Sequence, residues 1–377
     1  MSFTSLGLST AFQKILTEQN YTEPYPIQEQ AIPAILQGKD ILGIAQTGSG
    51  KTASYVLPVL MNFDGTEISR NRHVKVLVLV PTRELAIQVS SIFDIFLPAL
   101  SLPVKKMVVH GGVSINPQMM GLNGVGILIA TPGRLLELVD SNAVHLSEIK
   151  TLVLDEADKM LYFGFKEEMN RIFALLPTKR QNLLFSATLS DDITSINQIL
   201  LHEPVVLKVE AVTTNLDLIT QIAYSVTDEK KGPLLRYLIK HNKMKQVLVF
   251  TSSVYKADNV ADKLRKNGID ASAIHSKKSQ GARTEALSRF KAGTLKVLVA
   301  TDLMSRGIDI KFLPCVINYE LPRSPKDYIH RIGRTGRAES HGEAISFISP
   351  EEEHHFKIIQ KKMGKTVDTI DSNTILL

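Results

Sequence analysis

Seven short, continuous apolar runs in the first half of the chain are what most constrain its fold. They are DILGI (40–44), VKVLVLV (74–80), MVVH (107–110), GILIA (126–130), TLVLD (151–155), NLLF (182–185) and VVLKV (205–209). Most are rich in β-branched residues, and they show no sustained polar–apolar alternation. Strands of that kind are buried on both faces, as in a parallel sheet covered by helices. Helical patterns lie between the runs. After Pro81-Thr82, the residues Leu85, Ala86, Val89, Ile92, Phe93 and Phe96 recur at helical spacing. Strand, crossover helix and strand is the α/β doubly wound pattern. Pro58 falls inside the helical pattern that starts at Lys51, which predicts a kink or an early end there.

A second series follows residue 220: TQIAYSV, QVLVF (246–250), KVLVA (296–300), CVINY (315–319) and EAISFI (343–348). The halves read as diverged copies of one architecture. LVFTSSVYKADNVADKL is again strand, turn and helix, without the glycines and lysine of the corresponding turn in the first half. A chain of 377 residues is long for one core and suggests two domains. The expected division is 1–209, a polar linker at 210–220, and 221–377.

Composition narrows the class. The chain is 44% hydrophobic and 22% charged, as in ordinary globular protein. One cysteine, Cys315, cannot build an internal disulfide framework, so a reducing, cytoplasmic compartment is expected. The N-terminus lacks a basic region followed by a long apolar run, and nothing is apolar for the roughly 18 residues that cross a bilayer. The sequon at Asn20-Tyr21-Thr22 then carries no meaning. A net charge of +6 allows a nucleic-acid partner without requiring one. His354, His355 and Cys315 do not have metal-ligand spacing, so no structural metal is expected.

The run Ala45-Gln46-Thr47-Gly48-Ser49-Gly50-Lys51-Thr52 follows the first strand and opens a helix, the context of a phosphate-binding loop. Its glycines let backbone N–H groups converge on phosphate oxygens, and the helix N-terminus adds its dipole. Lys51 would reach the β and γ phosphates, and Thr52 would ligate Mg²⁺. The general pattern has glycine where Ala45 stands. A bland glycine-rich turn is the competing reading, and the strand before and helix after weigh against it. TLVLDEAD supplies Asp155 and Glu156 at a strand's carboxyl end, where ligands of such sheets gather. Asp155 would hold Mg²⁺ and Glu156 would deprotonate the attacking water. Alone, Asp-Glu equally suits a helix N-terminus.

HRIGRTGR (330–337) brings His330, Arg331, Arg334 and Arg337 together. Arginines three apart would share one face of a helical turn and could stabilise charge on a transferred phosphoryl group. A solvated basic helix is the plain alternative, against which Gly333 and Gly336 argue.

Eleven motifs in this order resemble the DEAD-box RNA helicases from residue 3 to about 350. They are PIQ (26–28) with Tyr21 and Phe3 upstream, AQTGSGKT, PTRELA (81–86), Gly111-Gly112, TPGR (131–134), DEAD (155–158), SAT (186–188), LVFTSS (248–253), the segment Gln280–Arg283, ATDLMSRGID (300–309) and HRIGRTGR (330–337). Ala45 is that family's usual residue. The resemblance implies two tandem RecA-like domains, ATP as the nucleotide, Mg²⁺, and RNA as the partner of a monomer. Gln28 would read adenine while Tyr21 or Phe3 packs on the base. Asp309 would meet the ribose, with Gly307 letting the backbone approach. Arg334 and Arg337 would be arginine fingers beside the catalytic Lys51, Asp155, Glu156 and His330. Ser186 and Thr188 would link the ATP site to closure. RNA backbone would meet Pro81, Thr82, Arg83, Gly111, Gly112, Thr131, Pro132, Gly133 and Arg134, then Arg283 and Thr301. Thr82 and Thr131 also suit helix caps, and a helix N-terminus is itself a phosphate site.

Departures from the family pattern are Tyr25, Tyr162 and Ser305, none of them a catalytic group. Relatives often carry basic tails that choose the RNA, and none is visible here, so the physiological target is not readable. An ATP-gated RNA clamp, a DNA translocase on the same paired domains, and a metabolite kinase are the rival readings. ATPase rates with no polymer, RNA or DNA separate them.

Overall fold

A computed structural model describes residues 2–46, 48–63, 71–189, 191–209, 218–302, 313–336 and 342–375. Thr47, Gly307, Asp309, Arg337 and residues 210–217 of the expected linker lie outside them. The chain divides into two compact units, Met1–Ala211 and Val212–Leu377.

Unit 1 holds strands β1 (Ile41–Ile44), β2 (Val76–Leu79), β3 (Lys106–Val109), β4 (Ile127–Ala130), β5 (Thr151–Leu154), β6 (Gln181–Ser186) and β7 (Val205–Lys208). All seven runs read from sequence are strands. They form one parallel sheet in the order β3-β4-β2-β5-β6-β1-β7. Successive side chains enter different cores. Val76 and Val78 of β2 join the cluster with Phe93 and Tyr55, while Leu77 and Leu79 join the cluster with Leu135 and Ile172. Both faces are therefore buried under helices, and that is why the strands read as unbroken apolar runs.

Unit 2 holds β8 (Ile219–Ser225), β9 (Val247–Thr251), β10 (Ala271–Ile274), β11 (Val297–Thr301), β12 (Cys315–Asn318), β13 (Gly342–Ile348) and β14 (Asp368–Asp371). Its parallel order is β10-β11-β9-β12-β13-β8-β14, the order of unit 1 advanced by seven. The two units share the tandem RecA-like topology. Sequence reading missed β10 and β14, the two edge strands. β14 is exposed along its whole length, and β10 is built largely of small residues. Neither carries the bulky double-faced run that marks a central strand.

The matching orders correct one expectation. LVFTSS belongs to β9, whose counterpart is β2 and not β1. Each of these strands leads into a hydroxyl-capped helix. Thr82 Oγ1 accepts from Leu85 N, and Ser253 Oγ accepts from Lys256 N, both at 3.2 Å. The counterpart of β1 is β8, and the helix after it, Asp228–His241, carries Lys231. Lys231 is buried, with Asp228 and Glu352 each at 3.0 Å. Internal carboxylates thus occupy the ammonium in unit 2. The helix Lys51–Asn62 continues through Pro58, so the early end is not seen.

Candidate nucleotide and nucleic-acid site

In a parallel sheet all carboxyl ends lie along one edge, and unit 1 loads that edge with motifs. Ala45–Lys51 follows β1, Asp155-Glu156 follows β5 and Ser186–Thr188 ends β6. On the other side of the β2–β5 junction, Pro81–Arg83 follows β2, Gly111-Gly112 follows β3 and Thr131–Arg134 follows β4. The phosphate loop, Asp155-Glu156 and SAT therefore occupy one half of the edge and the remaining motifs the other.

The phosphate loop is held from below and from the side. Ala45 N donates to Ser186 O at 3.0 Å, tying the loop to β6. The buried Lys51 donates through Nζ to Ala45 O at 2.7 Å, and Ser49 Oγ donates to Gln46 O at 2.8 Å. Gly48, Ser49 and Thr52 are half-buried, and Gln46 is exposed. Gly50 has φ +89°, and a Cβ there would lie 2.6 Å from Gln28 Nε2 and 2.8 Å from a Tyr25 ring carbon. Only glycine fits that left-handed, crowded position. The buried Gln28 donates through Nε2 to Gly50 O at 3.1 Å and accepts from Tyr25 N at 2.9 Å. Each bond uses one of two sites, so the amide retains one N–H and one lone pair. Phe3 and Tyr21 separate in role. Phe3 is core, edge-on to Tyr21 at 6.3 Å, while Tyr21 is half-buried. Burial raises the Tyr21 phenol pKa, with Tyr25 adding to it.

Asp155 is 2% exposed, and its Oδ2 accepts from Tyr55 Oη at 2.9 Å. Burial raises the Asp155 carboxyl above its ordinary range, and the Lys51 ammonium opposes that rise. Burial and then the Asp155 charge push the Tyr55 phenol well up, so it remains the donor. Glu156 has φ +55°, an uncommon value for a residue with a side chain, and its Oε1 lies 2.6 Å from Lys159 Nζ. Asp158 reaches β6: Thr188 Oγ1 donates to it at 3.3 Å and Ala187 N at 3.4 Å. Ser186 Oγ donates to Thr188 O at 2.7 Å. One chain of bonds thus runs from the DEAD segment through SAT to the start of the phosphate loop.

On the other half of the edge, Pro81 is buried and Thr82 caps its helix. Thr131 sits at the N-cap position of the helix Pro132–Asp140 without a side-chain cap bond. Gly133 is open around its Cα. Gly112 has φ +76°, and a Cβ there would fall inside the Arg83 guanidinium, which also passes Gly111. Arg134 is 8% exposed. It donates to Val113 O at 2.9 Å and to Glu137 at 2.7 Å, while its buried Nη1 has no hydrogen-bond partner among the described residues.

In unit 2 Thr301 ends β11, and Arg283 is buried in the first turn of the helix Gln280–Lys291. The expected helical face does not extend from Arg331 to Arg334, and Arg337 lies outside the described residues. The helix Pro325–Ile332 stops at Gly333, leaving Arg334 beyond it and half-buried, with exposed His330 in the last turn. Arg331 is an internal clamp. It grips Asp302 at 2.6 and 2.8 Å, Asn318 at 3.1 Å and Glu320 O at 2.7 Å. Three-residue spacing implies a shared face only while the helix lasts, and here it ends at Ile332.

A sequence profile of DEAD/DEAH box helicases matches residues 25–196, and one of the helicase conserved C-terminal domain matches 229–339. The ATP-dependent RNA helicase CshA of Limosilactobacillus reuteri is 38% identical over 96% of this chain and 72% of its own length. The chain belongs to the DEAD-box helicase family. The DEAD-box ATP-dependent RNA helicase RhpA of Helicobacter pylori is 38% identical over 99% of this DEAD-box chain and 75% of its own. Among solved structures, S. cerevisiae Dbp5 bound to RNA and ADP BeF3 is similar, with a TM-score of 0.85 and 29% identity, covering 99% of this chain and 96% of that one.

Sequence reading of this DEAD-box protein missed Tyr55, Asp158 and Lys159. Tyr55 lies four residues after Lys51, a spacing that puts both on one helix face, yet a buried aromatic reads as core. Asp158 sits inside a quoted motif, and only the fold shows that it faces β6.

Proposed function

We propose that this DEAD-box protein is an ATP-dependent RNA helicase that couples ATP hydrolysis to local separation of short RNA duplexes. The observation that carries the reading is the two-part carboxyl edge of unit 1. Lys51, Asp155 and Glu156 gather beside the phosphate loop, Arg83, Gly112 and Arg134 gather beyond β2, and Asp158 bonds to the SAT segment.

In this reading Lys51 and the loop amides receive the ATP phosphates, and Glu156 takes the proton of the attacking water. Gln28 offers adenine its remaining N–H and lone pair, and Tyr21 packs on the base. Thr52 and Asp155 suit Mg²⁺: both present hard oxygens, and Tyr55 occupies only one oxygen of Asp155. When bound, Mg²⁺ neutralises charge on phosphate oxygens. Asp309 and Gly307 serve the ribose, and Arg334 and Arg337 stabilise the transition state, with His330 beside them. Ser186 and Thr188 relay nucleotide state.

RNA is held through phosphate and sugar by Pro81, Thr82, Arg83, Gly111, Gly112, the Thr131–Arg134 turn, Arg283 and Thr301. The affinity should then fall steeply with salt. Because ATP and RNA each use residues from both sides of the linker, binding one favours the other, typically by about 1–3 kcal/mol. We extend the proposal to a monomer acting in the cytoplasm.

The test pairs ATPase rates, with no polymer, RNA or DNA, with separation of a short RNA duplex. RNA affinity is measured with and without a non-hydrolysable ATP analogue, in wild type and Arg334→Ala. RNA-stimulated turnover with unwinding supports the helicase. Slow turnover with ATP-locked binding marks a clamp, and stimulation by DNA marks a translocase.

A further inference from the structure

Gln118 is 7% exposed on the short helix Asn116–Gly121 and belongs to none of the nucleotide or RNA motifs. Its amide pairs with the backbone of His110 in both directions. His110 N donates to Oε1 at 3.1 Å, and Nε2 donates to His110 O at 3.2 Å. A third contact runs from Nε2 to Ser114 O at 3.4 Å. His110 is the first residue past β3, just after Thr131 N has bonded Val109 O at 3.1 Å. Where the ladder to β4 ends, the side-chain amide supplies one more pairing step.

The segment held this way is the one on which two arginines rest. Gln118 fixes both its ends, at His110 and Ser114. Between them Arg83 lies against Gly112, and Arg134 donates to Val113 O. Neighbouring glycines would otherwise leave this stretch free to sample many shapes, a freedom lost on binding a strand. Any change in its path also moves the surface against which both guanidiniums are set.

We propose that Gln118 is a positioning residue for RNA, which pre-forms the Gly111-Gly112 loop and, through it, the placement of Arg83 and Arg134 without touching the strand. This rests on the RNA-binding reading of that edge. Gln118 lies on the half away from the phosphate loop, so its loss should leave nucleotide chemistry alone.

The experiment uses the full chain with a single-stranded RNA probe, comparing wild type, Gln118→Ala, Gln118→Met and Arg134→Ala. Met keeps the packing volume and removes the amide, which covers the case in which Ala fails to fold. RNA affinity with an ATP analogue, half-saturating RNA for ATPase, RNA-free turnover and the ATP KM are all measured. Both Gln118 variants are expected to bind RNA about tenfold more weakly, consistent with losing two neutral hydrogen bonds. Their RNA-free turnover, ATP KM and saturated kcat should match wild type. Wild-type RNA affinity in the Gln118 variants beside a weakened Arg134→Ala overturns the positioning role and leaves the RNA edge standing. Undiminished affinity in all three overturns the RNA edge itself. Parallel loss of RNA affinity, RNA-free turnover and melting temperature in both Gln118 variants reduces the residue to a purely structural one and also overturns the proposal.

Discussion

The phenol of Tyr55 donates to Asp155 Oδ2 at 2.9 Å, joining the helix of the phosphate loop to the carboxyl end of β5. Both residues are buried, so the bond fixes which carboxylate oxygen faces inward. Tyr55→Phe leaves a buried acceptor without its donor, at a cost of about 1–3 kcal/mol. A lower melting temperature is expected, together with a several-fold higher Mg²⁺ requirement for ATPase. Unchanged melting and an unchanged Mg²⁺ titration would show that the bond orients nothing.

Lys51→Ala should reduce ATP turnover by at least about a hundredfold, the usual loss when a preorganised charge at a transferring phosphoryl group is removed. The fold should persist, because the Lys51 ammonium's hydrogen bond among the described residues runs back to its own loop at Ala45. Steady-state ATPase beside circular dichroism checks this. Near-normal hydrolysis by a folded variant would place the ATP site elsewhere.

Glu156→Gln keeps the side chain's shape and removes its basicity. Turnover is expected to fall by roughly 10²–10⁴-fold while ATP and RNA still bind. The Lys159 contact at 2.6 Å weakens in the variant, since its partner becomes neutral. RNA binding measured in ATP separates the outcomes, because a collapse of affinity along with turnover contradicts a purely catalytic role.

Gly50→Ala forces a side chain into φ +89° and against Gln28. Left-handed backbone alone costs about 1–2 kcal/mol. The Gln28 amide must also retreat from Gly50 O. ATP affinity should drop at least tenfold, and discrimination of ATP from GTP should narrow. Competition binding with the two nucleotides is the measurement, and retained discrimination would detach Gln28 from base recognition.

Much of the fold and of the nucleotide site was legible in the amino-acid order. The five central strands of unit 1 showed because burial on both faces removes polar residues from them. Lys51 and Asp155 showed because loop, strand and helix succeed one another locally. Edge strand β10 escaped because its residues are mostly small, and β14 because exposure along its whole length leaves no apolar run. Three-residue spacing in HRIGRTGR suggested a helical face, but spacing carries no information on where a helix stops, and Arg331 proved to be bound to Asp302.

By itself, the sequence determined strand identity, the phosphate loop and the order of the motifs, since each depends on neighbours a few residues apart. Tertiary structure decided which strands lie side by side, and with that the division of the carboxyl edge. β1 stands next to β6, though some 140 residues separate them in the chain, and so SAT supports the phosphate loop. The same long-range pairing made β9 the partner in kind of β2, set Tyr55 on Asp155, and gave Gln118 the backbone of His110. Such contacts arise from sheet order and crossover packing, and no local pattern in the chain encodes them.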